Sequence, residues 1–436
     1  MLSSSPPDRF GPRGLGIGRP DAAIDRDRYR LWLFAIYAVA VGTLTFNFFL
    51  AFTNTNLFRI SETHVILGEM LLLGIALPLA LSRDAALYVI LFLYFSFMAF
   101  ILALRPELDL KAIRDFLIPI VFYFVGKKFR TIEDADRLIW IATFVVIFVG
   151  LFEFIFLDIY TRVIDIFQYY VARGTLAADS NFVEGSNLFI SSTRIGGRNF
   201  FGFLGNLRAS SVFLEPVTMG NFGAFLCLWA LFRAGMRHRA WLFAAGFVAI
   251  VLPDARFGMF VCVALFVAAP AAFIVPRILW WSVPLMITFA LAIYGAWTSQ
   301  IIWNDNFTGR LLHASQLIQE ITPDSFFGIL AYGPELADNG FAYSIVQIGA
   351  VGLLALWTLF VFAPYQNPRA IQFKALAITY ISLLMTVSNS FYSIKLAALF
   401  WIVAGAADAM KLPDKAPGNP APSEAAPNAP MPDRVL

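Results

Sequence analysis

Three arginines stand beside the ends of long apolar runs: Arg208 in NLRASSVFLEP, Arg256 in LPDARFG and Arg310 in NFTGR. A guanidinium keeps its charge at every physiological pH, and its planar fork of donors fits phosphate oxygens in pairs. At the centre of a span an arginine costs at least about 2.5–3.5 kcal/mol, so each of these needs a partner. Converging on one point, they would clamp a pyrophosphate without help from a metal. The plainer alternative is that each snorkels to the headgroup layer or pairs with a nearby acid, as Arg256 could with Asp254. Two acids are candidates for proton transfer. Glu215, in FLEPVTMG, stands at the end of an apolar run, where partial burial is expected to raise its pKa toward that of a useful general base. Pro216 follows it in the first turn, where a missing amide donor costs least. Glu215 could equally be a helix N-terminal charge or a salt-bridge partner of Arg208. Asp338, in ELADNGFAYSIVQIGAVG, could be an N-cap or a base.

Other chemistries find little support. No His/Cys/Asp/Glu cluster has metal-ligand spacing, so no metal site is expected. There is no P-loop and no dinucleotide fingerprint, and no cofactor or nucleic-acid partner is expected. Cys227 and Cys262 fall in apolar runs and read as small buried hydrophobes.

The elements that must position these residues are membrane spans. Hydrophobic residues make up 59% of the chain and charged ones only 14%, against roughly a quarter charged in a soluble protein. The 46 phenylalanines suit a lipid-facing surface and its interfacial belts. A spanning helix needs roughly 20 apolar residues. Such runs lie near 31–52, 65–82, 85–104, 138–157, 212–232, 240–253, 258–275, 280–298, 342–363, 371–390 and 393–409, with a shorter, initially amphipathic one near 112–126. The expected fold is an all-α polytopic membrane protein of about twelve transmembrane helices. A closed β-barrel is not expected, because the runs lack in/out alternation. Residues 1–30, rich in Pro, Gly and Arg, read as a disordered cytoplasmic tail that is not a cleavable signal. Residues 31–410 read as the transmembrane domain, and 411–436, rich in Pro, Ala and Asn, as a second disordered tail. The short loops KKFRTIEDADR and RAGMRHR carry the clearest positive bias, so both termini are expected in the cytoplasm. Two long segments, about 158–211 and 299–341, then face outward; NDNFTGRLLHASQLIQEI in the second is amphipathic and could lie on the membrane surface. Loops of this length tend to be functional.

RASSVFLEPVTMGNFGAFL, VLPDARFGMF, TGRLLHASQLI and YGPELADNGFAYSIVQIGAVGLLAL follow one another between about 205 and 355. In order and spacing they resemble the O-antigen polymerase and ligase superfamily, in particular the Wzy-type O-antigen and exopolysaccharide polymerases. The resemblance implies a GT-C-type glycosyltransferase architecture with two large periplasmic loops in a bacterial inner membrane. It also implies undecaprenyl-pyrophosphate-linked oligosaccharides as substrates, polymerised on the periplasmic face, with a chain-length regulator as a candidate partner beside the lipid bilayer. Arg208, Arg256 and Arg310 match the arginines that hold the pyrophosphate. The ligase branch usually has a histidine where this chain has Asp338, which favours a polymerase and leaves the base open between Asp338 and Glu215. Two alternatives stand beside this reading. One is a ligase that transfers finished glycan to another acceptor. The other is a transporter or flippase of the lipid-linked sugar, which would need charges at mid-span facing a cavity.

Overall fold

Without water to bond to, a backbone in hydrocarbon must satisfy its own polar groups, and a run of apolar residues does so as a helix. The computed structural model obeys this throughout. It describes residues 20–82, 85–105, 109–180, 185–193, 200–298, 307–330, 336 and 338–410, and their regular structure is helical. The helices, in chain order, are α1 (Pro20–Asn56), α2 (Glu62–Ala80), α3 (Ala85–Leu104), α4 (Leu110–Gly126), α5 (Ile132–Ile155), α6 (Leu157–Val163), α7 (Ile166–Ala172), α8 (Pro216–Phe232), α9 (Arg239–Val251), α10 (Arg256–Ala271), α11 (Arg277–Trp297), α12 (Phe307–Gln319), α13 (Pro323–Phe326), α14 (Gly340–Phe362), α15 (Ala370–Val387) and α16 (Ile394–Ala409). Among the described residues, 7 helices are long and apolar enough to cross a membrane: α1 from Asp25, α2, α3, α5, α11, α14 and α15. The apolar helices α8, α9 and α10 are shorter.

The bundle is apolar outside as well as inside. Phe34, Phe92, Phe144, Phe247 and Phe289 are exposed, as suits a surface whose solvent is lipid. The core lies around α8, which is buried almost all round, with Phe222, Phe225 and Trp229 packed among Phe373, Tyr380 and Phe400 of α15 and α16. Such packing needs close approach of backbones, and small residues permit it. A β-carbon on Gly126 would fall 1.8 Å from the Ile402 carbonyl oxygen, and one on Gly405 1.9 Å from that of Tyr123, so α4 and α16 touch backbone to backbone.

Three features depart from the expected layout. The tail expected over 1–30 is already helical from Pro20, while residues 1–19 and 411–436 lie outside the described part. Within the long segment 158–211, α6 and α7 fold against the end of α1: Asn56 Nδ2 donates to the Val163 carbonyl at 2.8 Å, and Thr55 Oγ1 accepts from the Asp165 amide at 2.8 Å. Finally, α14 is broken at Gly349 (φ 69°, ψ 158°). The end of the bundle that carries α6, α7, α12 and the N-termini of α8, α10, α14 and α16 is called the loop-rich end below.

Candidate functional site

The segment leading into α8 is pinned before the helix begins. Glu153, fully buried on α5, accepts from the Ser210 amide (2.8 Å), the Ser210 hydroxyl (2.8 Å) and the Ser211 amide (2.5 Å). These bonds hold a turn in which Ser211 (φ 54°) and Leu214 (φ 63°) adopt the left-handed conformation. Arg208, at the head of this segment, is buried. Its Nε donates to the Pro253 carbonyl at 2.6 Å and its Nη1 to the Ser191 carbonyl at 2.8 Å. Arg208 therefore braces the loops before α8 and α10. It is not a salt-bridge partner of Glu215, which pairs elsewhere.

The turn that Arg208 holds carries Arg256. Its neighbour Asp254 is buried, left-handed (φ 47°), and accepts from the amides of Phe200 (3.1 Å) and Phe201 (3.2 Å). Arg256 opens α10, is exposed, and forms no ion pair among the described residues. The expected option of an Arg256–Asp254 pair is not taken.

At α14 the capping role belongs to Asn339. Its Oδ1 accepts from the amides of Phe341 (2.9 Å) and Ala342 (3.0 Å), and its Nδ2 donates to the Ala314 carbonyl of α12 at 2.7 Å. Asp338 is thereby relieved of capping, one of its two expected roles. It is exposed, and its Oδ2 lies 3.7 Å from His313 Nε2. That is an ion-pair distance, longer than a hydrogen bond. Arg310 is exposed on the same helix, one turn before His313, where i,i+3 residues share a face.

Glu215 is the N-cap residue of α8, just outside the helix. Its Oε1 accepts from the Tyr170 hydroxyl and lies 3.1 Å from Lys395 Nζ on α16; its Oε2 accepts from Thr218 Oγ1 at 2.9 Å. Lys395 also donates to the Phe213 carbonyl at 3.0 Å. Burial pushes the Glu215 pKa up, but Lys395, the Tyr170 hydroxyl and Arg173 outweigh it and hold the carboxyl below its ordinary value. The expectation of a raised pKa is thus corrected, because a lysine distant in sequence supplies a charge that the local segment did not reveal.

The sequence reading missed a deeper polar cluster. On α4, Arg114 pairs with Glu69 of α2 and, at 2.6 Å, with Asp115; Asp115 in turn accepts from the Tyr343 hydroxyl of α14. Glu69, Arg114 and Asp115 are all buried. Arg173 of the α7 terminus stacks on the Tyr170 ring at 5.4 Å, and both Arg173 and Lys395 act electrostatically on Glu69, which joins the two clusters. The signal was present: a lone acid in HVILGEMLLLG and an Arg–Asp pair in a short run are costly in lipid without partners.

The described contacts bring Arg208 to the turn that carries Arg256, and Asp338 to the helix that carries Arg310. They do not bring all five expected residues to one point. Among the described residues no group of three His, Cys, Asp or Glu side chains could hold a metal. Chemically, the loop-rich end offers exposed guanidiniums, a histidine beside a carboxylate, and an ion-paired glutamate at the mouth of a buried polar cluster. Comparison with protein-family models, curated proteins and solved structures gave no match.

Proposed function

We propose that the chain is a polysaccharide polymerase of a bacterial inner membrane, with about twelve spans in a GT-C-type arrangement and both termini in the cytoplasm. In this reading the shorter helices α4, α8, α9, α10 and α16 also cross, which places the loop-rich end in the periplasm. The substrates are undecaprenyl-pyrophosphate-linked oligosaccharides. One observation carries the reading above the others: His313 and Asp338 stand at ion-pair distance with Arg310 one turn away. The residue that departs from the ligase pattern is thus the one that reaches a histidine from another element.

The chemistry follows from these positions. A hydroxyl oxygen of the acceptor glycan attacks the anomeric carbon of the donor and forms the new C–O bond. The bond from that carbon to the pyrophosphate oxygen breaks on the opposite face, inverting the centre. The hydroxyl proton passes to the His313 ring, whose positive charge Asp338 offsets. Negative charge develops on the departing lipid pyrophosphate, and the guanidiniums of Arg310 and Arg256 stabilise it. Arg208, spent on backbone carbonyls, holds the loop that presents Arg256. Glu215, kept ionised by Lys395, fixes the mouth of the site and leaves proton transfer to the His313–Asp338 pair.

The test is reconstitution of the purified chain with a polyprenyl-pyrophosphate-linked repeat unit and analysis of product length. His313→Ala should lower polymer formation by about 100-fold or more, the range of general base catalysis, and Arg310→Ala and Arg256→Ala should also lower it. Wild-type polymer lengths from all three variants would remove the proposal. A second reading has one observation in its favour, since the buried Glu69–Arg114–Asp115 cluster is what a transporter of the same lipid-linked sugar would place along its path. Movement of labelled substrate across proteoliposomes by a wild-type chain that makes no polymer would select it.

A further inference from the structure

A different feature lies at the opposite end of the bundle, in the first turn of α11. Among the described residues, the buried Arg277 Nε and Nη2 have no hydrogen-bond acceptor, and neither has the indole Nε1 of Trp280. Trp280 is 9% exposed, and three residues separate it from Arg277, so the two side chains share one helical face. The Arg277 guanidinium lies over the Tyr365 ring, 4.2 Å from its centroid, which fixes its plane and leaves its donor edges to something else. Three donor nitrogens left without acceptors are costly, the more so where the group is charged.

Among the described residues no acceptor meets this need. Asp408 is the buried acid nearby; its Oδ2 is held by Lys374 Nζ at 2.7 Å and by the Tyr123 hydroxyl at 2.6 Å, and its Oδ1, although without a partner, makes no hydrogen bond to Arg277 or Trp280. The surroundings are otherwise basic, since Arg277 and Lys127 both act on Lys374. An outside acceptor with several oxygens and a negative charge satisfies all three donors: the fork of Arg277 takes two of its oxygens, and the indole N–H a third contact. The position selects its source. Arg277 opens a helix long and apolar enough to cross the membrane, which sets it at headgroup depth, where Trp and Arg both tend to face phosphates.

We infer that Arg277, Trp280 and Tyr365 form a binding site for the phosphate of an anionic phospholipid, on the membrane face opposite the loop-rich end. The lipid acts as a structural ligand wedged where α11 meets the α14–α15 loop, and its headgroup phosphate completes the hydrogen bonding of that corner. This site is independent of the glycan chemistry, so it stands or falls separately from the polymerase reading.

Native mass spectrometry of the detergent-purified full chain, titrated with phosphatidylglycerol or phosphatidylcholine, tests the inference. The wild type should retain one phosphatidylglycerol more tightly than the rest. Arg277→Gln should weaken that retention about tenfold, as loss of one charge-assisted pair implies. The control Arg369→Gln, an exposed arginine near the same end, should leave it unchanged. Because a fold defect could mimic the loss, Arg277→Lys is measured in parallel: it keeps the charge, loses the fork, and should restore part of the affinity. Equal retention by wild type and Arg277→Gln overturns the site, and so does loss of retention in Arg369→Gln to the same degree. Competition by inorganic phosphate alone at equal concentration would assign the site to a free anion and overturn the lipid.

Discussion

A carboxylate held ionised by a lysine is a poor proton acceptor but a good anchor, and this separates Glu215 from Asp338. Glu215 has both oxygens occupied, by Tyr170 and Lys395 on one side and Thr218 on the other. Removing its charge leaves Lys395, which is buried, without its counter-ion. Breaking a buried pair in this way costs several kcal/mol, about 3–5 when fully buried, and less here because the Glu215 side chain is 28% exposed. Asp338 is exposed and its one ionic partner among the described residues, His313, lies at 3.7 Å, so it contributes little to folding. Glu215→Gln should therefore lower the melting temperature of the purified protein by several degrees. Asp338→Asn should leave melting within about a degree of wild type, as surface substitutions do, while reducing polymer formation. Thermal denaturation and product length, measured on the same preparations, decide the matter. An Asp338→Asn protein that melts early and polymerises normally would reverse the two roles.

The elements were legible where one physical rule governs, and obscure where two elements meet. Apolar runs announced the helices because lipid permits little else, and NDNFTGRLLHASQLIQEI announced α12 by its amphipathic spacing. The pairing of Glu215 with Lys395, by contrast, joins α8 to α16, and nothing in FLEPVTMG points to a lysine so far along the chain. The stretch 158–211 read as loop because the apolar residues of α6 and α7 are too few to span, yet enough to bury Tyr160, Tyr169 and Tyr170. The break in α14 was likewise hidden, since a glycine inside an apolar run also serves close packing, as at Gly126 and Gly405. At Gly349 the conformation itself requires glycine: a β-carbon there would meet the Phe327 carbonyl oxygen at 2.7 Å. The carbonyls freed near the break are not left to lipid. Arg105, at the end of α3, donates Nη2 to Val346 and Gln347 at 2.7 Å each and Nε to Gly328 at 2.7 Å. Gly349→Ala should destabilise the protein by about 1–3 kcal/mol, the cost of a strained left-handed residue. Arg105→Gln should do so as well, by stranding buried carbonyls. Because both changes act on one break, their combined effect on melting should fall short of the sum. Strict additivity would mean that Arg105 does not support the break.

For the whole molecule, the question that governs every functional reading is which side of the membrane the loop-rich end faces. Successive helices reverse direction, so the α8–α9 loop lies at the end opposite Asp179 in the segment before α8. That opposite end carries Arg233, Arg237, Lys127, Lys128, Arg130 and Arg137. Part of this charge is paired: Arg233 with Asp136 at 2.7 Å and with Glu133 at 3.3 Å, Arg137 with Asp134 at 3.3 Å, and Arg130 with Asp25 at 2.8 Å. Short loops rich in Lys and Arg are retained in the cytoplasm. On the proposed reading the loop-rich end, with Arg256, Arg310, His313 and Asp338, is external, where the proposed lipid-linked glycan would be met. Single cysteines test this directly once Cys227 and Cys262 are replaced by alanine. Asp179→Cys and His238→Cys both sit at exposed positions on opposite ends of α8. In intact cells with a permeabilised outer membrane, a membrane-impermeant maleimide should label the first and reach the second only after the inner membrane is opened. The inverse pattern would put the His313–Asp338 pair in the cytoplasm, away from any periplasmic substrate. It would also transfer the Arg277 site to the outer leaflet, so one labelling experiment constrains both ends of the molecule.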